Sequence, residues 1–493
     1  MKLRKTMLWT LALALALLTG CLASPAEPTT TAPTTEPPIE QLALVVTEDT
    51  IGQLEQYPSL KKLDLTGSTC YEAIQEYMRK HPKVEVTYTV SLGTVTASNR
   101  ETVLVLDPGA CDYDTLAQKL EYLPTLETVS LPRTTFSAQE IIALQGLYPD
   151  VTWNFTMIVL GQELSAQTVE LNLSVLEQER VSEVASKLGL FPNIEKVELM
   201  DSAGQSRLSI EDVKTLQSNA PAIHFHYTFD LFGKTVATTD DRIEFVNEAI
   251  GNGGEAELRN ALDILKDCAY LLLDDCGFDN EVLAKLRSDY PNTEIVWRIH
   301  ARQQSWLTDT DTIRAVALGD NSHFEPFKYC TKVKYIDVSM NPGLTDISFL
   351  ANMPELEIVI LSGSYIDDLT PLANAANLVF LELAHCGNIT DVTPLAGCGK
   401  LANINLSYTK VTNLSPLYEL PLERLYAVMS DIHQSHWEKI QQLHPDCAIR
   451  YDGDQSYGTL WRYKKNGAYT EIYQWVREVF SLDQAEQITN SAN

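Results

Sequence analysis

The sequence predicts an α/β solenoid, with short parallel strands stacked in an array, helical return segments in the N-terminal part and an irregular C-terminal cap. Three observations lead there. From residue 333 the chain falls into units of 21 to 23 residues, and upstream a longer unit recurs at spacings of 67, 72 and 70 residues. The chain is also 493 residues long, more than one compact core accommodates. Hydrophobic residues make up 45% and charged residues 21%, which places the chain among folded proteins and excludes global disorder.

The short units begin at Val333, Leu356, Leu378, Leu401 and Leu422. Each opens with apolar residues at positions 1, 4 and 6, as in Leu378, Leu381, Leu383 and in Leu401, Ile404, Leu406. Position 9 is Asn341, Ser364, Cys386, Thr409 or Ser430. This is the leucine-rich repeat pattern: positions 4 and 6 face inward from a short strand, and position 9 can bond backbone at the turn. The second halves read Ile366-Asp367-Asp368-Leu369-Thr370-Pro371-Leu372, then Ile389-Thr390-Asp391-Val392-Thr393-Pro394-Leu395, then Val411-Thr412-Asn413-Leu414-Ser415-Pro416-Leu417. That phrase resembles the repeats of internalin-like bacterial surface proteins over about 100 residues, 333–430.

The longer units occupy residues 42–305. A helix-like run closed by Pro82, Pro149, Pro221 or Pro291 is followed each time by an alternating strand, and three of these strands end in Gly93, Gly161 or Gly233, where a hairpin turn is cheap. Between them lie strands of the repeat type, such as Leu60, Leu63, Leu65 with Ser68 and Cys268, Leu271, Leu273 with Cys276. Helical runs at 138–147 and 210–216 return the chain. These units resemble the ribonuclease-inhibitor-like branch of the repeat class. Residues 306–332 read as a connector. Residues 431–493, with Trp461, Tyr463, Tyr469, Tyr473, Trp475 and Phe480, read as the atypical cap that an array's open end requires.

The N-terminus reads as an address. Lys2, Arg4 and Lys5 precede a short apolar run, about a dozen residues and below the ~20 that span a bilayer. The run ends in Leu18-Thr19-Gly20-Cys21, which resembles a bacterial lipobox. The resemblance implies removal of residues 1–20, lipidation of Cys21 and an outward-facing, lipid-anchored chain. Residues 21–41 are a Pro/Thr-rich tether without a core. Eight further Cys are scattered without a CxxC pair, so neither a disulfide scaffold nor a zinc site is expected.

Charge and motifs narrow the chemistry. The formal charge is −29, and loss of residues 1–20, with three cations and no acids, takes it to −32. That argues against nucleic acid and against docking to anionic lipid through a basic patch, leaving the lipid anchor as the only membrane contact. No GxSxG, HExxH, P-loop, GxGxxG or EF-hand loop is present. His433 and His436 with Cys447 read as a polar helix face rather than metal ligands, and His224 and His226 as a solvated strand face. No catalysis, cofactor or metal is expected.

Side-chain alternation places positions 3, 5 and 7 of each repeat strand on the concave face. There Ile358, Ile360 and Phe380 form an apolar patch beside Tyr335, Glu382, Arg424 and Tyr426, a composition that protein interfaces favour. Resemblance to internalin-like proteins implies recognition of a protein, from a host or from the envelope, on that face. Cover of this patch by the C-terminal tail or a neighbouring element stays open, as do two other readings of function: a spacer or scaffold of the envelope, whose face would be covered, and a carbohydrate binder using Trp461 and Tyr463.

Overall fold

The computed structural model describes residues 38–458 and 460–482. The signal segment 1–20, Cys21 and nearly all of the tether lie outside the described residues. Two compact units divide the chain, one running to residue 136 and including 143–154, the other comprising 137–142 and 155 onward.

In the first unit the parallel strands Gln41–Ala43, Lys62–Asp64 and Glu85–Thr87 pair residue for residue, and Leu63 and Val86 at their centres are buried. Helix Tyr71–Lys80 returns the chain and buries Tyr71, Ile74 and Tyr77 on one side. The hairpin expected at Gly93 joins Thr89–Leu92 to Val95–Ser98. Gly93 has φ +70°, and a Cβ there would meet the Ala110 carbonyl oxygen at 2.4 Å, so only glycine fits.

In the second unit the hairpins at Gly161 and Gly233 recur, and a fourth joins Glu294–Ala301 to Gln304–Leu307 without a glycine, through left-handed Arg302 at φ 57°. The strands Glu170–Asn172, Lys196–Glu198 and His224–His226 form one parallel sheet. Seven parallel strands form another: Thr312–Arg314, Tyr335–Asp337, Ile358–Ile360, Phe380–Glu382, Asn403–Asn405, Arg424–Tyr426 and Ala448–Arg450. The chain is thus an α/β leucine-rich repeat solenoid. The seven-stranded sheet starts inside the expected connector and ends inside the expected cap, because Ile313 and Ile449 continue the same inward row.

The core follows the repeat arithmetic. Ile313, Ile336, Val359, Leu381, Ile404 and Leu425 form one stacked row, each fully buried. Position 9 bonds backbone, as its polarity predicts. Asn341 Nδ2 donates to the carbonyls of Val338 at 2.8 Å, Ala315 at 3.0 Å and Ser339 at 3.0 Å. Cys386 Sγ lies 3.3 Å from the Leu361 carbonyl, and Thr409 Oγ1 donates to that of Leu406 at 2.7 Å. Ser364 departs from the pattern, since its buried Oγ has no partner among the described residues. The Pro-Leu step also has a physical basis. Pro371, Pro394 and Pro416 open short 3₁₀ turns whose buried Leu372, Leu395 and Leu417 point inward. The side chains of Asp368, Asp391 and Asn413 accept from the backbone N–H two residues on, at 2.8 to 2.9 Å.

Asn341 and Ser364 occupy the same repeat position with opposite hydrogen-bond accounts. Asn341→Ala strips a donor from buried carbonyls and is expected to cost on the order of 2 kcal/mol in urea unfolding. Ser364→Ala removes a hydroxyl with no partner and should change stability by less than about 0.5 kcal/mol. Equal costs would contradict this reading of position 9.

Candidate functional site

Two rows of side chains cross the outer face of the seven-stranded sheet, fixed by its register. One runs Tyr335, Ile358, Phe380, Asn403, Arg424, and the other Arg314, Asp337, Ile360, Glu382, Asn405, Tyr426. All seven residues picked out from the sequence lie in these rows, so the alternation argument brought them together correctly. Their expected exposure is corrected. Ile358, Phe380 and Tyr426 are fully buried, Ile360 and Glu382 nearly so, and Tyr335 and Arg424 are half-buried.

What covers them is the C-terminal segment. It leaves the last strand and is pinned at three points: Tyr408 Oη donates to the Asp454 carbonyl at 2.7 Å, Asn405 Nδ2 to that of Ser456 at 2.9 Å, and His385 Nε2 bonds Ser456 Oγ at 2.8 Å. Trp461 then lies on the sheet, its ring 5.0 Å from Phe380 and 5.5 Å from Tyr426, and its Nε1 donates to Glu382 Oε2 at 2.5 Å. Helix Glu471–Val479 follows, capped by Thr470. Its Tyr473 and Val476, with Phe480 beyond it, pack on Ile358 and Ile360. Trp475 meets Tyr335 edge-on at 5.8 Å. Residues 3, 4 and 7 apart on a helix share a face, and this one is apolar.

Trp461 is fully buried and Tyr463 stacks on Tyr469 at 5.0 Å, so the pair does not form an exposed aromatic platform for sugar. The first part of the expected cap, helix Gln434–Leu443 and strand Ala448–Arg450, continues the array, whereas the second part lies on the sheet face. In the first part His433 caps the helix, and His436 Nδ1 bonds Tyr418 Oη at 2.7 Å. Cys447 is buried and free.

The covered face is polar at its centre. Glu382 bonds Ser362 Oγ at 3.0 Å as well as Trp461, with Arg462 Nη2 3.9 Å away. Burial pushes its carboxyl up, against the pull of Arg462 and the two donors. Asp337 is also pushed up by burial, although Ser339 donates to it through Oγ at 2.6 Å and backbone N–H at 3.1 Å. Arg424 Nη1 donates to Asn403 Oδ1 at 2.9 Å. Arg314 and Asp337 belong to this site and lie outside the seven. Alternation already puts Asp337 on the outward face beside Tyr335, and strand register could have found Arg314, since it continues that row by one repeat.

A second face in the same unit is open. Glu170, Asn172, Lys196, Glu198, His224 and His226 line a hollow of about 950 Å³ on the three-stranded sheet. His226 Nδ1 bonds Glu198 at 2.7 Å, and His224 Nδ1 bonds Asp267 at 2.8 Å.

No family model matches the chain, and no curated protein matches it. Among solved structures it is similar to an internalin from Listeria monocytogenes str. 4b F2365, at 16% identity over 77% of this chain and 86% of that one, with a TM-score of 0.24. It is similar to internalin C2 of the same organism at 20% identity over 44% and 77%, TM-score 0.23. A leucine-rich repeat protein of Leptospira interrogans aligns at 14% identity over 83% and 93%, TM-score 0.24. Scores of that size do not superpose whole chains, and the assignment to the repeat class rests on this chain's own strand pairing and period. No helix among the described residues is long and apolar enough to cross a membrane.

The raised Glu382 carboxyl has a pH consequence. The fold holds that proton more tightly than the unfolded chain, so the stability linked to it is full below the ordinary value of 4.5 and is lost as pH rises through the raised value. Glu382→Gln cannot titrate. Measured by urea unfolding across that range, the stability of the parent relative to Glu382→Gln should therefore fall as pH rises above 4.5. A difference independent of pH would contradict the buried placement of this carboxyl.

Proposed function

We propose that the chain is a non-catalytic binding protein, held at the outer face of a bacterial membrane by a lipid on Cys21, that recognises a protein partner on a sheet face of its repeats. The observation that supports this reading is the open face of the three-stranded sheet. Lys196 and Glu170 stand mostly in solvent there, with side chains 70% and 73% exposed. The carboxylate partners of His224 and His226 hold both imidazoles in place. A face whose side chains are already held loses less entropy on binding, and its charges steer and select a complementary partner.

The cover over the seven-stranded sheet favours a second reading, an envelope scaffold whose surfaces serve its own assembly. It also sets the condition under which Tyr335, Ile358, Ile360, Phe380, Glu382, Arg424 and Tyr426 would themselves bind a partner: the C-terminal segment must first leave.

One experiment separates these. Residues 42–493 serve as bait in three forms, the parent, Glu170→Lys with Lys196→Glu, and Trp461→Ala, against extracts of the producing cells and of a candidate host. A protein retained by the parent and lost at least about tenfold by the charge-reversed form supports the proposal. Retention only by Trp461→Ala moves recognition to the covered face. Equal retention by all three, or by none, favours the scaffold.

A further inference from the structure

We infer that the hollow between the seven-stranded sheet and the C-terminal segment binds an apolar α-amino acid as its zwitterion. The hollow measures about 650 Å³, which suits a small organic molecule. Arg314, Asp337 and Glu382 wall it on the sheet side and Arg462 on the segment side. Its lining shares no residue with the open face of the three-stranded sheet, so this ligand is independent of protein recognition there.

Opposite charges meet in the hollow without bonding each other. Arg314 Nε stands 3.7 Å from Asp337 Oδ2, and Arg462 Nη2 stands 3.9 Å from Glu382 Oε1, both beyond hydrogen-bond distance. The two pairs balance. A ligand with one charge answers only half of these groups, whereas a zwitterion answers both signs.

Hydrogen-bonding capacity is left over on both signs as well. Arg462 Nε is buried and has no partner among the described residues. Asp337 receives the Ser339 backbone N–H and hydroxyl on Oδ1, and its Oδ2 accepts no hydrogen bond among the described residues. An unpaired buried donor is costly, and a ligand carboxylate relieves that cost at Arg462. A carboxylate also matches the planar N–H donors of a guanidinium, and an ammonium donates to carboxylate oxygens. An α-amino acid carries both groups on one carbon, as close together as the acid and the guanidinium of each pair.

Rings hold the Arg462 guanidinium in place, with Tyr457 at 4.3 Å and Tyr473 at 5.0 Å. Val316, Ile360, Val476 and Phe480 supply apolar wall beside the charged groups, so the ligand's side chain is apolar.

L-Phenylalanine is a suitable probe. Calorimetric titration of the full chain should show saturable binding at one site. 3-Phenylpropanoate lacks the ammonium, 2-phenylethylamine lacks the carboxylate and glycine lacks the apolar body. Each should bind at least about tenfold more weakly. Arg314→Gln and Asp337→Asn should each weaken L-phenylalanine about tenfold. Asp337 is buried, so Arg314→Gln, at the more exposed wall, decides the matter if the other variant unfolds. Absence of saturation by L-phenylalanine overturns the inference. So does equal binding of any of the three comparators, or unchanged affinity in a folded Arg314→Gln.

Discussion

Trp461 seated on Glu382 is the contact on which the rest of the site depends. The indole fills the space between Phe380 and Tyr426, and its N–H meets a carboxylate that would otherwise lie buried with one hydroxyl and a distant guanidinium. Truncating a buried aromatic of this size costs on the order of 3–5 kcal/mol. That adds to the three hydrogen bonds by which His385, Asn405 and Tyr408 pin Asp454 and Ser456. With Trp461 in place, Arg462 comes to stand between two tyrosine rings, Thr470 Oγ1 donates to the Trp461 carbonyl at 2.9 Å, and helix Glu471–Val479 starts where its apolar side meets Ile358 and Ile360. The sheet face thereby becomes interior.

Beneath it, the array is held by a constraint repeated once per unit. Each strand ends in a turn whose position 8 is left-handed: Met340, Gly363, His385, Tyr408 and Met429 have φ between 58° and 76°. Four of these five are not glycine, so each turn carries a backbone cost of about 1–2 kcal/mol. After those four turns Asn341, Cys386, Thr409 and Ser430 at position 9 bond backbone carbonyls, which offsets it. His385 and Tyr408 also stack on each other at 4.4 Å, which turns two strained turns into the ledge that receives Asp454 and Ser456.

The array was legible because periodicity is a local property: inward residues at positions 4 and 6, a polar or thiol group at 9 and Pro-Leu in the return are all set by neighbours in one unit. The outward rows were legible for the same reason, by alternation. Whether the C-terminal tail lies over them was left open. Ile358 and Phe380 look the same in sequence whether solvent or Trp461 faces them, and the covering contact spans some 80 positions. The apolar spacing of Tyr473, Val476 and Phe480 was the available signal. A helix with such a face needs a surface, and Ile358, Ile360 and Phe380 were already identified as an apolar outward patch. Arg314 was hidden by a different cause, because its repeat lacks the leucines of its neighbours and reads as a connector.

The cover itself is tested most directly by hydroxyl-radical footprinting of the full chain, read at single residues by mass spectrometry. The account predicts that Phe380, Tyr426 and Trp461 are as protected as core Phe324 and Phe327, while Tyr365 and Tyr451, both exposed, are oxidised readily. Oxidation of Phe380 and Tyr426 at the rate of Tyr365 would contradict it, and would return the sheet face to solvent.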